Sequence, residues 1–109
     1  MNKYHNKKVR YDGWVFDSQK ECDRYIYLKQ LQRQGIISSL TLQKKFPLVK
    51  PYRIGKKTIL HGVNYYCDFF YYDRDGNAVV EDVKGLKTDV YIIKKKLMAE
   101  KYGILIKEI

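Results

Sequence analysis

The sequence predicts a single α/β domain in which a helix, three strands, a second helix and a last strand follow one another. Two segments carry helix-capping residues and apolar positions at helical spacing, and between them a run rich in Tyr, Phe and Val folds back at a turn. A chain of 109 residues with 45% hydrophobic content can build one modest core. We therefore expect a basic leader at 1–15 and one folded domain at 16–109.

Charge and cysteine content narrow the class of protein. The 22 basic and 12 acidic residues give a formal net charge of +10, which in a folded, aromatic-rich domain favours a polyanionic partner, with nucleic acid first. No apolar run approaches the roughly 18 residues of a membrane span, and the N-terminus lacks a signal-peptide pattern. Cys22 and Cys67 lack zinc-site spacing and indicate reduced, buried thiols. We expect a cytoplasmic protein with no membrane partner.

The first helix is predicted at 18–34, after a short strand or turn around Asp12 and Gly13. Ser18 is a good N-cap, Glu21 stands three residues later as in a capping box, and a glycine follows the last periodic residue. The inward stripe is predicted to consist of Cys22, Tyr25, Leu28 and Leu31, and Glu21 lies near its middle. Glu21 is thus either a helix cap or an acid that faces a site in the interior.

A strand is predicted at 40–49, with Gln43 as its central polar residue. It is followed at 52–60 by a basic hairpin around a glycine, which carries Arg53, Lys56 and Lys57. This hairpin would either straddle a phosphate backbone or form an ordinary solvated turn.

The central hairpin at 65–84 carries the strongest chemical signal. A turn with Gly76 in the left-handed position pairs Asp73 with Asn77, and that register places Asp68 directly opposite Asp82. Facing carboxylates destabilise a hairpin, so their presence indicates a divalent cation between them.

The residues around these two acids leave alternatives open. Lys84 shares the face of Asp82 because side chains alternate along a strand, whereas a one-residue slip would put Glu81 in the site. Glu81, Asp82 and Lys84 could instead form a solvated face with a cross-strand ion pair. The aromatic run around Asp68 predicts that this acid is partly buried and therefore paired, hydrogen-bonded or metal-bound.

The second helix is predicted from the N-cap Thr88 to Tyr102, with a glycine as its stop, and a last strand at 104–109. Its buried stripe is predicted to be Val90, Ile93 and Leu97. A basic and aromatic flank beside the acidic site is predicted to contain the following residues: Lys87, Tyr91, Lys94 and Lys95.

Four stretches in this order resemble the PD-(D/E)xK nuclease superfamily and, more closely, a family of small phage-encoded, Holliday-junction-resolvase-like proteins. They are FDSQKECDRY, SLTLQKKF, YYCDFFYYDRDG and VVEDVKGLKT, and the resemblance covers nearly all of 16–109. It implies a restriction-endonuclease-like core of order αβββαβ, with a mixed central sheet flanked by helices.

The resemblance also assigns residues. It matches Asp68 to the first motif aspartate, Asp82 to the second acid, Lys84 to the motif lysine and Glu21 to the helical acid. The chain departs from the motif where Cys67 replaces a proline and where Glu81 precedes Asp82, although the acid-x-lysine spacing favours Asp82.

The implied activity is metal-dependent hydrolysis of phosphodiester bonds in branched or phage DNA, in a bacterial host cytoplasm. Mg²⁺ or Mn²⁺ would be held by Asp68, Asp82, the Val83 carbonyl and Glu21, while Lys84 would either orient the attacking water or stabilise hydroxide and the pentavalent transition state. Cutting two strands symmetrically would require a homodimer. The alternatives are a non-catalytic nucleic-acid-binding module and a phage accessory protein that keeps the fold.

Overall fold

The structure is a computed structural model that describes residues 7–83 and 87–109, so the predicted motif lysine Lys84 lies outside the described residues. The described part is a mixed α/β fold of ten strands and two helices. Their bounds are β1 Val9–Tyr11, β2 Trp14–Phe16, α1 Gln19–Arg33, β3 Ser38–Leu42, β4 Lys45–Val49, β5 Tyr52–Ile54, β6 Lys57–Leu60, β7 Val63–Tyr66, β8 Phe69–Tyr72, β9 Ala78–Asp82, α2 Asp89–Tyr102 and β10 Lys107–Glu108.

The central sheet has four strands in the order β10-β9-β8-β3. β8 pairs antiparallel with β3 and β9, whereas β10 runs parallel to β9 after the crossover through α2. The predicted α/β class with a mixed sheet is therefore confirmed, although further strands outside this sheet interrupt the predicted order of elements. The last strand is shorter than predicted and comprises Lys107–Glu108.

The first helix follows the prediction closely. The Ser18 hydroxyl accepts a hydrogen bond from the Glu21 amide at 3.1 Å, which satisfies an N–H group that has no partner within the helix. Cys22, Tyr25 and Leu28 are buried and form a core cluster with Phe69 and Tyr71 of β8. α1 therefore covers one face of the sheet.

The second helix covers the opposite face but is rotated relative to the prediction. It begins after the N-cap Thr88 as expected, yet Val90 and Ile93 are 61% and 59% exposed, whereas Tyr91 and Met98 are buried. The predicted stripe was wrong at Val90 and Ile93, because a neighbouring stripe has the same spacing, whereas Leu97 is partly buried and packs against the core as predicted. Lys94 and Lys95 lie on the same side of the helix as Tyr91 and Met98 and are partly buried.

A bend interrupts the predicted strand at 40–49. β3 pairs with β8 and β4 pairs with β7, in two separate sheets. Between them Gln43 has a φ of +55°, a left-handed conformation that a strand cannot continue through. The Gln43 amide donates to the Asp68 carbonyl at 3.3 Å, and the Cys67 amide donates to the Lys44 carbonyl at 3.2 Å. The two-stranded ribbon, formed by β3 and β4 against β8 and β7, therefore turns at the position of Asp68.

Two hairpins lie outside the central sheet. β5 and β6 form the predicted basic hairpin, on which Arg53, Lys56 and Lys57 are exposed. β1 and β2 form an N-terminal hairpin that contacts α1, because the Tyr25 hydroxyl donates to the Asp12 carboxylate in its turn. The predicted boundary between residues 15 and 16 falls within β2. In the described part of the chain, neither helix has the length and apolarity needed to cross a membrane.

Candidate active site

The central hairpin has the predicted register. Phe69 lies opposite Glu81 as the first pair of the ladder, and the Asp73 amide donates to the Asn77 carbonyl at 2.9 Å across a turn in which Gly76 has a φ of +83°. Asp68 is one residue beyond that first pair, and its side chain lies near that of Asp82. Because the ribbon bends there, the Asp68 amide donates to the Glu81 carbonyl at 3.1 Å, just outside the regular ladder.

Three carboxyl groups meet at this point, one from α1, one from the bend before β8 and one from β9. The pKa of Asp68 is raised from its ordinary value of 3.8 to about 6, chiefly by burial and also by the neighbouring Glu21, while the hydrogen bond from the Val83 amide acts in the opposite direction. The side chains of Glu21 and Asp82 both lie close enough to Asp68 to influence its pKa. The sequence-predicted acids Glu21, Asp68 and Asp82 are thus brought together at the end of the sheet.

Protein groups orient each of these acids. The Tyr65 hydroxyl donates to Asp82 Oδ2 at 2.6 Å, and the Val83 amide donates to Asp68 Oδ2 at 2.7 Å. Burial and the adjacent Asp82 carboxylate raise the pKa of Tyr65, so its hydroxyl keeps its proton for this bond. Asp82 is 3% exposed, and the sequence did not reveal Tyr65 as its partner.

Glu21 combines the two roles that the sequence left as alternatives. Its Oε1 accepts from the Asp17 amide at 3.1 Å, one residue before the Ser18 amide expected for a capping box. The side chain is nevertheless 8% exposed and contacts Asp68. Capping therefore does not remove Glu21 from the cluster.

Glu81 belongs to the other face of the sheet. It is 0% exposed and receives two hydrogen bonds from Arg24, from Nε at 2.7 Å and from a terminal nitrogen at 2.6 Å, and another from the Tyr71 hydroxyl. Arg24 is three residues after Glu21 on α1 and so lies on a similar side of the helix. This spacing is the sequence feature from which an inward-facing Arg24 could have been predicted. The bidentate ion pair fixes the helix that carries Glu21 to the strand that carries Asp82.

Three residues of the predicted basic and aromatic flank meet at one carboxylate, that of Glu108. Lys87 contacts Glu108 Oε1 at 3.0 Å, while the Tyr91 hydroxyl and Lys95 contact Oε2 at 2.7 Å and 3.1 Å. Glu108, which sequence reasoning missed, pairs with Asp82 across β10 and β9. These donors, led by Tyr91, lower the pKa of Glu108 to about 2.

Lys94 and Asp82 line a cavity of about 260 Å³. Its other lining residues are Tyr65, Tyr66, Thr88, Val90 and Tyr91. Arg53, Lys56 and Lys57 are not among the residues that line it; they lie on the hairpin formed by β5 and β6.

Across 7–83 and 87–109, no three His, Cys, Asp or Glu side chains stand in an arrangement ready to hold a metal ion. The three acids are hydrogen-bonded to protein groups instead. A carboxylate has about four lone-pair positions, so a single hydrogen bond does not exhaust its capacity as a ligand. The donor set is therefore chemically suited to a hard cation, even though the side chains are not in a ligating arrangement.

A family model described as a protein of unknown function, DUF1064, matches residues 1–108. The chain belongs to this family. No curated protein and no solved structure matches the chain significantly.

Proposed function

We propose that this protein is a metal-dependent DNA endonuclease of the PD-(D/E)xK type, built on a restriction-endonuclease-like core. The observation that carries the proposal is the meeting of Asp68 with Asp82 and Glu21 at the bend of the ribbon. Three of the 12 acidic residues share this one site, in which Glu21 and Asp82 are buried. Such an arrangement opposes folding and is expected where a cation is held.

Asp68, Asp82, Glu21 and the Val83 carbonyl would hold Mg²⁺ or Mn²⁺. When bound, the cation lowers the pKa of a water molecule and offsets the charge that develops on the phosphate oxygens. The residues of the chain supply orientation: Tyr65 fixes Asp82, and the Val83 amide fixes Asp68. With a pKa of about 6, Asp68 is largely ionised at neutral pH and available as a ligand.

Positive groups around the acids would bind the substrate. Lys84 follows Asp82 by two residues and would orient the attacking water, while Lys94 in the cavity would contact the phosphate. A wider surface would bind the DNA backbone through Lys87, Tyr91, Lys95, Arg53, Lys56 and Lys57. Branched or phage DNA in a bacterial cytoplasm is the proposed substrate, and a homodimer would provide two cuts.

The test is incubation with supercoiled plasmid and with a synthetic four-way junction, in Mg²⁺, in Mn²⁺ and in EDTA. We expect metal-dependent cutting that Asp82→Asn and Lys84→Ala both abolish while leaving DNA binding largely intact. Asp75→Asn, which removes an exposed acid in the hairpin turn, is the matched control and should cut normally. Cutting that persists in the purified Asp82→Asn protein would exclude this assignment.

A non-catalytic nucleic-acid-binding module is the second candidate. The hydrogen bonds from Tyr65, Val83 and Asp17 favour it, because each of the three acids accepts a hydrogen bond from a protein group. This candidate predicts binding in EDTA that weakens steeply with salt, and no cutting with either metal. The same set of incubations therefore separates the two functions.

A further inference from the structure

The carboxylate of Glu108 is surrounded by donors that suit a phosphate group. One oxygen meets the Lys87 ammonium at 3.0 Å, and the other meets the Tyr91 hydroxyl at 2.7 Å and the Lys95 ammonium at 3.1 Å. A phosphodiester resembles a carboxylate as a monoanion with two terminal oxygens, and it accepts the same charge-assisted hydrogen bonds.

The cluster is also accessible. The side chains of Lys87, Lys95 and Glu108 are 56%, 34% and 21% exposed, so an external anion can reach the donors without opening the core. Glu108 lies beside Asp82 in the sheet, and Tyr91 lines the cavity that contains Asp82. The donors are thus next to the acidic cluster, where a nucleic-acid backbone would have to pass.

We propose that Lys87, Tyr91 and Lys95 form a binding site for a backbone phosphate of the nucleic acid, and that Glu108 is an internal occupant which this phosphate displaces. The inference rests on the proposed function, because it takes nucleic acid as the ligand. In the free protein Glu108 neutralises two lysines, so part of the binding free energy is used to release them. Glu108 therefore weakens nucleic-acid binding and lowers its salt dependence.

The experiment measures binding of a fluorescent DNA duplex in EDTA over a range of salt concentrations. Glu108→Gln keeps an acceptor for Tyr91 but releases both lysines, whereas Glu100→Gln removes an exposed acid elsewhere on α2 with the same change in charge. We expect Glu108→Gln to bind the duplex several-fold more tightly than Glu100→Gln does. The salt slope, which is the slope of log affinity against log salt concentration, should be steeper by up to about two. Equal affinities and slopes for the two variants would overturn the proposal.

Lysine replacements test the displacement itself. Lys95→Ala should change the salt slope little in the wild-type background and by about one in the Glu108→Gln background. If Glu108→Gln does not fold, the wild-type background still decides, since Lys95→Ala should then weaken binding less than Lys94→Ala. If Lys95→Ala changes the salt slope equally in both backgrounds, or weakens wild-type binding as much as Lys94→Ala does, Glu108 does not compete with phosphate.

Titration with inorganic pyrophosphate, followed by NMR, separates this inference from the proposed function. If no variant binds DNA, nucleic acid is excluded as the ligand and the proposed function falls together with this inference. Tighter pyrophosphate binding by Glu108→Gln would then still identify a general anion site. If wild type binds and cuts DNA while Glu108→Gln gains no affinity for DNA or pyrophosphate, only the role of Glu108 is refuted.

Discussion

Replacing Asp68 with asparagine should stabilise the protein at neutral pH while it removes a proposed metal ligand. Asparagine has nearly the same shape, can accept from the Val83 amide, and can donate to Glu21. The substitution therefore removes the charge that burial and Glu21 disfavour and retains the hydrogen bonding. A gain in stability on loss of a site residue is typical of functional strain.

The size and sign of the effect follow from linkage. The pKa of Asp68 is raised from 3.8 to about 6 in the folded protein, and each pKa unit corresponds to about 1.4 kcal/mol, which gives an upper bound of about 3 kcal/mol. The folded state binds the proton more tightly than the unfolded state. The loss of stability caused by ionised Asp68 is therefore absent below the pKa of the unfolded state. It grows as the pH rises from that pKa to the pKa of the folded state, and it is complete above the latter.

Urea unfolding followed by circular dichroism, at neutral pH and near pH 4, measures this difference. We expect Asp68→Asn to be about 1 to 3 kcal/mol more stable than wild type at neutral pH and nearly equal to it near pH 4. Asp75→Asn is the control because it removes an exposed acid from the same hairpin. A destabilised Asp68→Asn, or a gain that does not depend on pH, would refute the reasoning.

Two further substitutions test the framework of the site. Arg24→Met leaves Glu81 buried without its ion-pair partner and should lower the free energy of unfolding by about 3 to 5 kcal/mol. Lys8→Met, which removes an exposed ion pair, should change the free energy of unfolding little. Equal effects of the two substitutions in urea unfolding would contradict this expectation. Gln43→Val should destabilise the protein by about 1 kcal/mol or more relative to Gln43→Gly, because a β-branched residue tolerates a left-handed φ poorly. Equal urea midpoints for the two Gln43 variants would show that the bend does not require this conformation.

The parts of the fold that the sequence predicted well depend on local signals. The caps Ser18 and Thr88 mark the helix starts, and the turn around Gly76 determines the register, which pairs Phe69 with Glu81 and so brings Asp68 close to Asp82. Each of these features is decided within a few residues, by backbone groups that need a partner or by a φ that glycine adopts readily. The sequence could therefore indicate the acidic cluster.

The features that escaped prediction depend on residues distant in the chain or on ambiguous local signals. Arg24 and Glu81 are 57 positions apart, and neither local periodicity nor capping relates them. The α2 face was misassigned because two adjacent stripes have the same spacing, and contacts of Tyr91 and Met98 with the rest of the fold decide between them. Gln43 gave no warning of the bend, since a left-handed glutamine has no characteristic sequence signal.

The opposite orientations of Glu81 and Asp82 have a consequence for how this family can vary. The two acids are adjacent, yet one binds Arg24 on one face of the sheet and the other binds Tyr65 on the opposite face. Inserting or deleting one residue between Asp68 and Glu81 would exchange them unless a bulge absorbed the change. The hairpin turn should therefore accept changes of residue type far more readily than changes of length.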